Sequence, residues 1–88
     1  MRLLWEDRAW DDYLYWQKQD RKTLKRINVL LKDMERSRFD GIGKPEPLKG
    51  PLQGKWSRRI DKEHRLVYSV ANGMIYVYVF SLRFHYAR

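Results

Sequence analysis

The sequence of 88 residues predicts an α+β fold, in which a pair of helices packs on a four- to five-stranded antiparallel sheet. Two observations predict it. The first third of the chain has apolar residues at helical spacing in two consecutive stretches, whereas the last third alternates β-branched and aromatic residues with polar ones. Asn72-Gly73 divides that last stretch, and this dipeptide is typical of a two-residue hairpin turn. We expect residues 1–88 to form a single domain.

The predicted elements begin with a short strand at Arg2–Trp5. Asp7 is a candidate N-cap for a first helix over residues 8–18, and Asp20 is a candidate N-cap for a second helix that ends near Ser37. The break between them is short, which favours an antiparallel helix pair. The second helix carries an amphipathic stripe formed by Leu24, Ile27, Leu31 and Met34.

Glycines and prolines punctuate residues 39–51, which predicts an ordered loop because proline fixes its own φ and restricts the preceding residue. Glu46 lies between Pro45 and Pro47, so we expect it to be held in an extended conformation. A meander of three or four strands follows, over residues 55–60, 65–70 and 74–83, and residues 84–86 either extend the last strand or start another.

Composition and charge limit the classes of function. The chain has no cysteine and two histidines, which argues against disulfides and most zinc sites, and we expect no cofactor. No apolar run is long enough for a transmembrane helix, and the early acidic residues do not fit a signal peptide, so a cytoplasmic location is expected.

The net charge of +8 is unevenly distributed, because residues 41–88 hold nine cations and only three anions. This favours a polyanionic partner for the second half of the chain, although a solvated basic face remains the alternative. Seven of these cations lie in residues 44–68: Lys44, Lys49, Lys55, Arg58, Arg59, Lys62 and Arg65.

Three kinds of group needed to cut RNA without a metal lie in this second half: a base, fixed cations and an acid. Glu46 is a candidate base. Arg59 and Arg65 flank a tight turn and are expected to project from one face of the sheet, where guanidinium groups suit phosphate. His85 is a candidate acid, and Tyr86 is a candidate for stacking on a nucleobase or donating a proton.

Each of these residues also has a structural interpretation. A lone glutamate is usually part of the surface, an arginine-rich strand is usually solvated, and His85 between two aromatic residues is often a packing residue. His64 is interpreted as structural. The four tryptophans are expected to be core anchors, with an exposed tryptophan at a dimer contact as the alternative: Trp5, Trp10, Trp16 and Trp56.

Five blocks of sequence together form a recognisable pattern. The blocks are WDDYLYW at residues 10–16, GKPEPLK at 43–49, WSRRI at 56–60, HRLVY at 64–68 and the His85-Tyr86 ending. In these blocks the chain resembles the YoeB (Txe/YoeB) branch of the RelE-type toxins of bacterial toxin–antitoxin systems, and the resemblance covers nearly the whole chain. The stretch of residues 72–84 is about two residues longer than in that pattern, and Ala87-Arg88 continue beyond the final tyrosine.

The resemblance implies a RelE-like toxin fold and a ribosome-dependent endonuclease that cleaves mRNA in the ribosomal A site. It implies that Glu46 is the general base, that Arg65 stabilises the phosphate, and that His85 is the general acid with Tyr86 beside it. Lys49 and Arg59 are implied as supporting phosphate contacts. It further implies a YefM-like antitoxin, through which the toxin would bind operator DNA indirectly.

Three hypotheses about function remain open at this point. The chain is an RNA-cleaving toxin that works on the 70S ribosome, a basic module that binds RNA or the ribosome without cutting, or an inactive partner of an antitoxin. We also expect a homodimer, because so small a core leaves aromatic and apolar surface exposed.

Overall fold

The computed structural model describes residues 2–79, in which two helices pack on a five-stranded sheet. The predicted α+β class is therefore confirmed. The main elements are β1 (Arg2–Trp5), α1 (Asp7–Gln19), α2 (Arg21–Arg36), β2 (Glu46–Pro47), β3 (Trp56–Arg59), β4 (Arg65–Ala71) and β5 (Met74–Val79). The strand order in the sheet is β1-β5-β4-β3-β2, and a short 3-10 turn at Gly50–Leu52 lies between β2 and β3.

The helix pair forms as predicted, with one difference at its start. Asp20 is the single residue between the helices, and its carboxylate accepts the backbone N–H groups of Lys22 at 3.0 Å and Thr23 at 3.2 Å. The prediction of Asp7 as the first N-cap is wrong by one residue. Glu6 occupies that position without a side-chain capping bond, and Asp7 lies in the first turn. A carboxylate in the first turn still stabilises the helix through its dipole.

A hydrogen bond between the two helices shows their relative direction. The Tyr13 hydroxyl donates to Asn28 Oδ1 at 2.8 Å. These residues lie at similar distances before and after Asp20, so the helices run antiparallel.

The sheet is mostly antiparallel, but its first strand departs from the prediction. β1 pairs in parallel with β5, from Arg2 opposite Met74 to Trp5 opposite Val77. No hairpin joins these strands, so turn geometry does not impose the antiparallel direction on them. The predicted hairpin between β4 and β5 is confirmed, since Asn72 and Gly73 have φ values of 53° and 74°, as a type I′ turn requires.

Strand β2 was not predicted, because residues 39–51 were expected to be loop throughout. It pairs antiparallel with β3, placing Glu46 opposite Ser57 and Pro47 opposite Trp56. The expected extended conformation of Glu46 is thus confirmed, and pairing with β3 fixes it further.

The helices cover one face of the sheet and form the core with it. Buried residues of both helices contact Leu66 and Tyr68 of β4 and Ile75 and Val77 of β5. The helix residues of this core are Ala9, Trp16, Ile27, Leu30, Leu31 and Met34. In residues 2–79, neither helix has the length and apolar character needed to cross a bilayer.

The four tryptophans differ in burial. Trp16 is buried, and Trp5 and Trp56 are partly buried against the core. Trp10 is 47% exposed, so its assignment as a core anchor is wrong. It lies on the outer side of α1, stacked on Tyr13 with ring centroids 5.8 Å apart.

Candidate functional site

The candidate site lies on the face of the sheet opposite the helices, which is called the open face below. Residues that pair across an antiparallel ladder share a face, and the face alternates along each strand. Glu46 therefore shares the open face with Ser57, Arg59 and Arg65, because Glu46 pairs with Ser57 and Arg59 pairs with Arg65. The register brings together residues from three separate segments of the chain.

Glu46 and Arg65 are in direct contact. Arg65 Nη1 donates to Glu46 Oε1 at 2.6 Å, and the same nitrogen lies 3.5 Å from the hydroxyl oxygen of Ser57. The Glu46 side chain is 52% exposed and that of Arg65 is 29% exposed, so the pair is accessible from solvent. A guanidinium has five N–H donors. The contact with Glu46 therefore leaves others for a phosphate.

Arg59 lies beside this pair, as predicted. It is exposed and lies directly across the ladder from Arg65. Its backbone N–H donates to the carbonyl of Gly43 at 2.7 Å, which ties β3 to the loop before Glu46. Two neighbouring guanidinium groups and one carboxylate therefore face the same solvent region.

Lys49 occupies a different position. It is exposed in the loop after β2, just before the 3-10 turn, and it lines a cleft together with Leu48, Lys55 and Trp56. Trp56 lies opposite Pro47 and packs against the core, so this cleft opens at the outer edge of the sheet. The role of Lys49 as a phosphate contact stays a prediction.

The predicted acid and its neighbour, His85 and Tyr86, lie outside the described residues 2–79. Their roles also stay predictions. The strand that leads towards them has an irregularity that the sequence did not reveal. Tyr68 pairs with Val77 but Val67 pairs with Val79, so β5 has one extra residue opposite β4. Such bulges redirect a strand and are common next to active sites.

The other histidine, His64, has the structural role expected of it. Its Nδ1 lies 3.0 Å from Asp61 Oδ1, and its ring packs edge-on against Trp16 at 4.9 Å. Burial raises the pKa of Asp61, but hydrogen bonds from His64 and Glu63 outweigh burial and leave this pKa lowered. Both residues serve to close the turn between β3 and β4, which sets the position of Arg65.

Sequence reasoning missed a buried ion pair on the other face of the sheet. The sequence indicated Arg58 only as one of seven cations in residues 44–68. In the structure it is fully buried, and its Nη1 donates to Asp33 Oδ2 at 2.7 Å. The hydrogen bond from Arg58 and a second one from the backbone of Ile42 hold the pKa of Asp33 below its usual range. A signal existed, since Asp33 lies among Leu30, Leu31 and Met34 on the apolar side of α2. A carboxylate there requires a buried partner.

Comparison with known proteins shows that the chain is similar to bacterial toxins. The family described as "YoeB-like toxin of bacterial type II toxin-antitoxin system" matches residues 5–86. The chain is 52% identical over 86 residues to the toxin YoeB of Escherichia coli (strain K12), which covers 98% of this chain and 100% of the relative.

Solved structures with the same fold include close relatives. A YoeB/ParE toxin from Agrobacterium tumefaciens aligns with a TM-score of 0.90 at 45% identity, covering 98% of this chain and 100% of that one. A YoeB-YefM complex from Staphylococcus aureus aligns with 0.88 at 42% identity, and a YoeB dimer from the same organism with 0.87 at 44%. Both alignments cover 98% of each chain.

Proposed function

Because the chain belongs to the YoeB family of toxins of bacterial type II toxin–antitoxin systems, we propose that it is an endoribonuclease. It would cut messenger RNA in the ribosomal A site and so inhibit translation. The observation that carries this proposal is the 2.6 Å contact between Glu46 and Arg65 on the open face, with Arg59 directly across from Arg65. A proton acceptor and two phosphate ligands share one accessible surface.

The proposed reaction is a transesterification within the RNA. Glu46 takes the proton of a 2′-hydroxyl, and that oxygen attacks the adjacent phosphorus. The bond from phosphorus to the 5′-oxygen of the next nucleotide breaks, and His85 gives its proton to the departing oxygen. The products are a 2′,3′-cyclic phosphate and a 5′-hydroxyl, so atoms and charge balance without an added reactant.

Arginine side chains supply the charge stabilisation in this scheme. Negative charge increases on the phosphate oxygens as the 2′-oxygen attacks. A fixed guanidinium therefore stabilises the transition state more strongly than the ground state. Arg65 is the principal ligand because it also contacts the base, Glu46. Arg59 and Lys49 add further phosphate contacts, and Tyr86 stacks on a nucleobase or assists His85.

The proposal is tested by mapping mRNA ends after the purified protein is added to 70S ribosomes that are stalled with a defined codon in the A site. We expect one new 5′-end within that codon, and cleavage about 10²–10⁴-fold slower when Glu46→Gln replaces the wild type. The upstream fragment should carry a cyclic or 3′-phosphate, and EDTA should not abolish the cut as long as the ribosome stays assembled. A 3′-hydroxyl product would rule out this mechanism.

Two other outcomes would support the alternative functions. Ribosome binding without any cut would indicate a basic module that blocks translation by occupancy, which needs only the +6 balance of residues 41–88. Neither binding nor cutting, with tight antitoxin binding retained, would indicate an inactive partner that acts in operator binding alone.

A YefM-like antitoxin is the proposed protein partner, supported by the YoeB-YefM complex of the similar Staphylococcus aureus toxin. An acidic and apolar segment of the antitoxin would lie across the open face and cover Glu46 and Arg65, or displace His85-Tyr86. A ligand that binds only the folded state raises the melting temperature by mass action. Calorimetry of the complex should therefore show a higher melting temperature, together with loss of mRNA cleavage.

The free toxin is also proposed to form a homodimer, as a YoeB from Staphylococcus aureus does. Trp10 and Leu14 are both exposed and lie one helical turn apart on α1, so they form one apolar strip. Sedimentation at about 10–100 µM, the range in which weak dimers are detected, should give a dimer. The substitution Trp10→Ser should shift it towards monomer.

A further inference from the structure

Arg58 lies beneath the segment that leads to Glu46 and has no exposed surface. Its Nη2 donates to the carbonyl oxygens of Ser37, Asp40 at 2.8 Å and Arg38 at 3.4 Å, and its Nη1 donates to that of Ile42 at 3.2 Å. One buried guanidinium therefore binds four carbonyl groups within six residues of chain. Because these are charge-assisted bonds, they hold the segment more firmly than neutral ones would.

Two further side chains complete this buried group. Asp33 binds Arg58 and also accepts the backbone N–H of Ile42 at 3.0 Å. The Tyr68 hydroxyl accepts from Arg58 Nε at 3.2 Å and donates to the carbonyl of Arg38 at 2.6 Å. Asp33, Arg58 and Tyr68, here called the anchor, thus join α2, β3 and β4 to the segment 37–42.

The chain has little freedom between the anchor and Glu46. After Ile42, the carbonyl of Gly43 is bound by Arg59 N–H at 2.7 Å. Gly43 has a φ of 80°, which other residues rarely adopt, and a Cβ there would also lie 3.2 Å from the Cβ of Arg58, so glycine suits this position. Lys44 adopts a left-handed φ of 49°, Pro45 has a fixed φ, and Glu46 is paired in β2. A shift at Ile42 would therefore be passed on to Glu46 rather than absorbed.

We propose that the anchor positions the Glu46 carboxylate against Arg65, so that Asp33, Arg58 and Tyr68 are positioning residues for RNA cleavage. This inference rests on the proposed function of Glu46 as the base. A displacement of about 1 Å in a reacting group costs about 10² in rate. The left-handed backbone of Lys44 contributes to this positioning, because a strained turn next to the anchored segment directs Glu46 towards the open face.

Tyr68→Phe tests the proposal, because it removes one hydroxyl and leaves the buried ring in place. Single-turnover cleavage at saturating toxin should fall about 10–100-fold, the cost of a base displaced by up to 1 Å, whereas the affinity for ribosomes should not change. Tyr13→Phe is the matched control. It also removes a hydroxyl hydrogen bond, the one to Asn28, but far from Glu46. It should lower the melting temperature less than Tyr68→Phe does, because its hydrogen bond is exposed, and it should leave cleavage unchanged.

The double variant Glu46→Gln/Tyr68→Phe separates positioning from general weakening of the fold. If Tyr68 acts through Glu46, the double variant should cleave no more slowly than Glu46→Gln alone. Losses that multiply would overturn the inference. So would a Tyr68→Phe rate equal to that of Tyr13→Phe. If Tyr68→Phe does not fold, Arg58→Lys takes its place in the same comparison, because it keeps a cation beside Asp33 but loses the planar set of donors to the carbonyl groups.

The two proposals fail in different ways. Cleavage by Glu46→Gln at the wild-type rate would overturn the proposed function, whatever Tyr68→Phe does. Slow cleavage by Glu46→Gln, with unaltered cleavage by Tyr68→Phe, would overturn only the anchor.

Discussion

Arg58 and Arg59 are neighbours in one strand, yet they serve different faces of the sheet. Arg58 points towards the helices, is fully buried and forms hydrogen bonds to Asp33, Tyr68 and several carbonyls. Arg59 points to the open face, is exposed and lies opposite Arg65. The alternation of a β-strand thus separates a cation that holds the chain together from one available to a phosphate.

The largest effect is expected from the two proposed proton-transfer groups, which belong to the chemistry and not to the fold. Glu46→Gln and His85→Gln should each lower ribosome-dependent cleavage by about 10²–10⁴, the usual contribution of one acid or base. Their melting temperatures and ribosome affinity should match the wild type. Near wild-type cleavage by both variants would remove these roles.

Substituting the two adjacent arginines tests the comparison directly. Arg58→Ala removes the buried partner of Asp33, which keeps only the longer 3.4 Å ion pair with the exposed Arg36, so the free energy of unfolding should fall by about 3–5 kcal/mol. Arg59→Ala removes an exposed side chain, and its unfolding free energy should change by less than about 0.5 kcal/mol. Urea denaturation measures both. Equal losses of unfolding free energy would show that Arg58 does not stabilise the fold more than Arg59 does.

Substitutions of Arg65 test whether cleavage on the open face needs a guanidinium group or only a positive charge. Arg65→Ala should lower single-turnover cleavage by about 10²–10³, as for loss of one transition-state donor. Arg65→Lys should restore little, since an ammonium lacks the planar pair of donors. Full activity of the lysine variant would mean that charge alone suffices.

The smallest expected effect is the pH dependence of the stability that Asp33 contributes on the face of the sheet covered by the helices. The pKa of Asp33 is lowered from its ordinary value of 3.8 in the folded protein, chiefly by the hydrogen bond from Arg58. Its contribution to stability is therefore complete above pH 3.8 and is lost as the pH falls through the lowered folded value. The difference in unfolding free energy between the wild type and Asp33→Asn should shrink over that range. A constant difference would show that the charge of Asp33 does not stabilise the fold.

Local signals made part of the fold predictable. Asp20 caps α2 through atoms two and three residues away, and Asn72-Gly73 sets the hairpin through its own φ values. The strand at Glu46 and the parallel pairing of β1 were missed because both depend on a partner elsewhere in the chain. Periodicity within a segment carries no information on such a partner.

In the candidate site, too, features set by local sequence were predictable and features that depend on a distant partner were not. Arg59 and Arg65 were predicted to share one face because the tight turn and strand periodicity place them there, and the register confirms it. Glu46 joins them through its pairing with Ser57, which periodicity did not reveal. The apolar side of α2 indicates that Asp33 needs a buried partner, but that partner, Arg58, lies 25 residues away on a strand, so no local pattern identifies it. The positions of His85 and Tyr86 remain predictions that residues 2–79 do not test.

The parallel pairing of β1 with β5 has a consequence for the order in which the protein is built during translation. β1 is synthesised first, but its partner Met74–Val77 is synthesised after more than four-fifths of the chain. Pairing between ends so far apart must overcome the entropy of closing a long loop, which makes it a late step in folding. Until then, β1 has no sheet to join and β4 is an edge strand. A nascent chain that stops before Met74 therefore lacks two strands of its sheet rather than one.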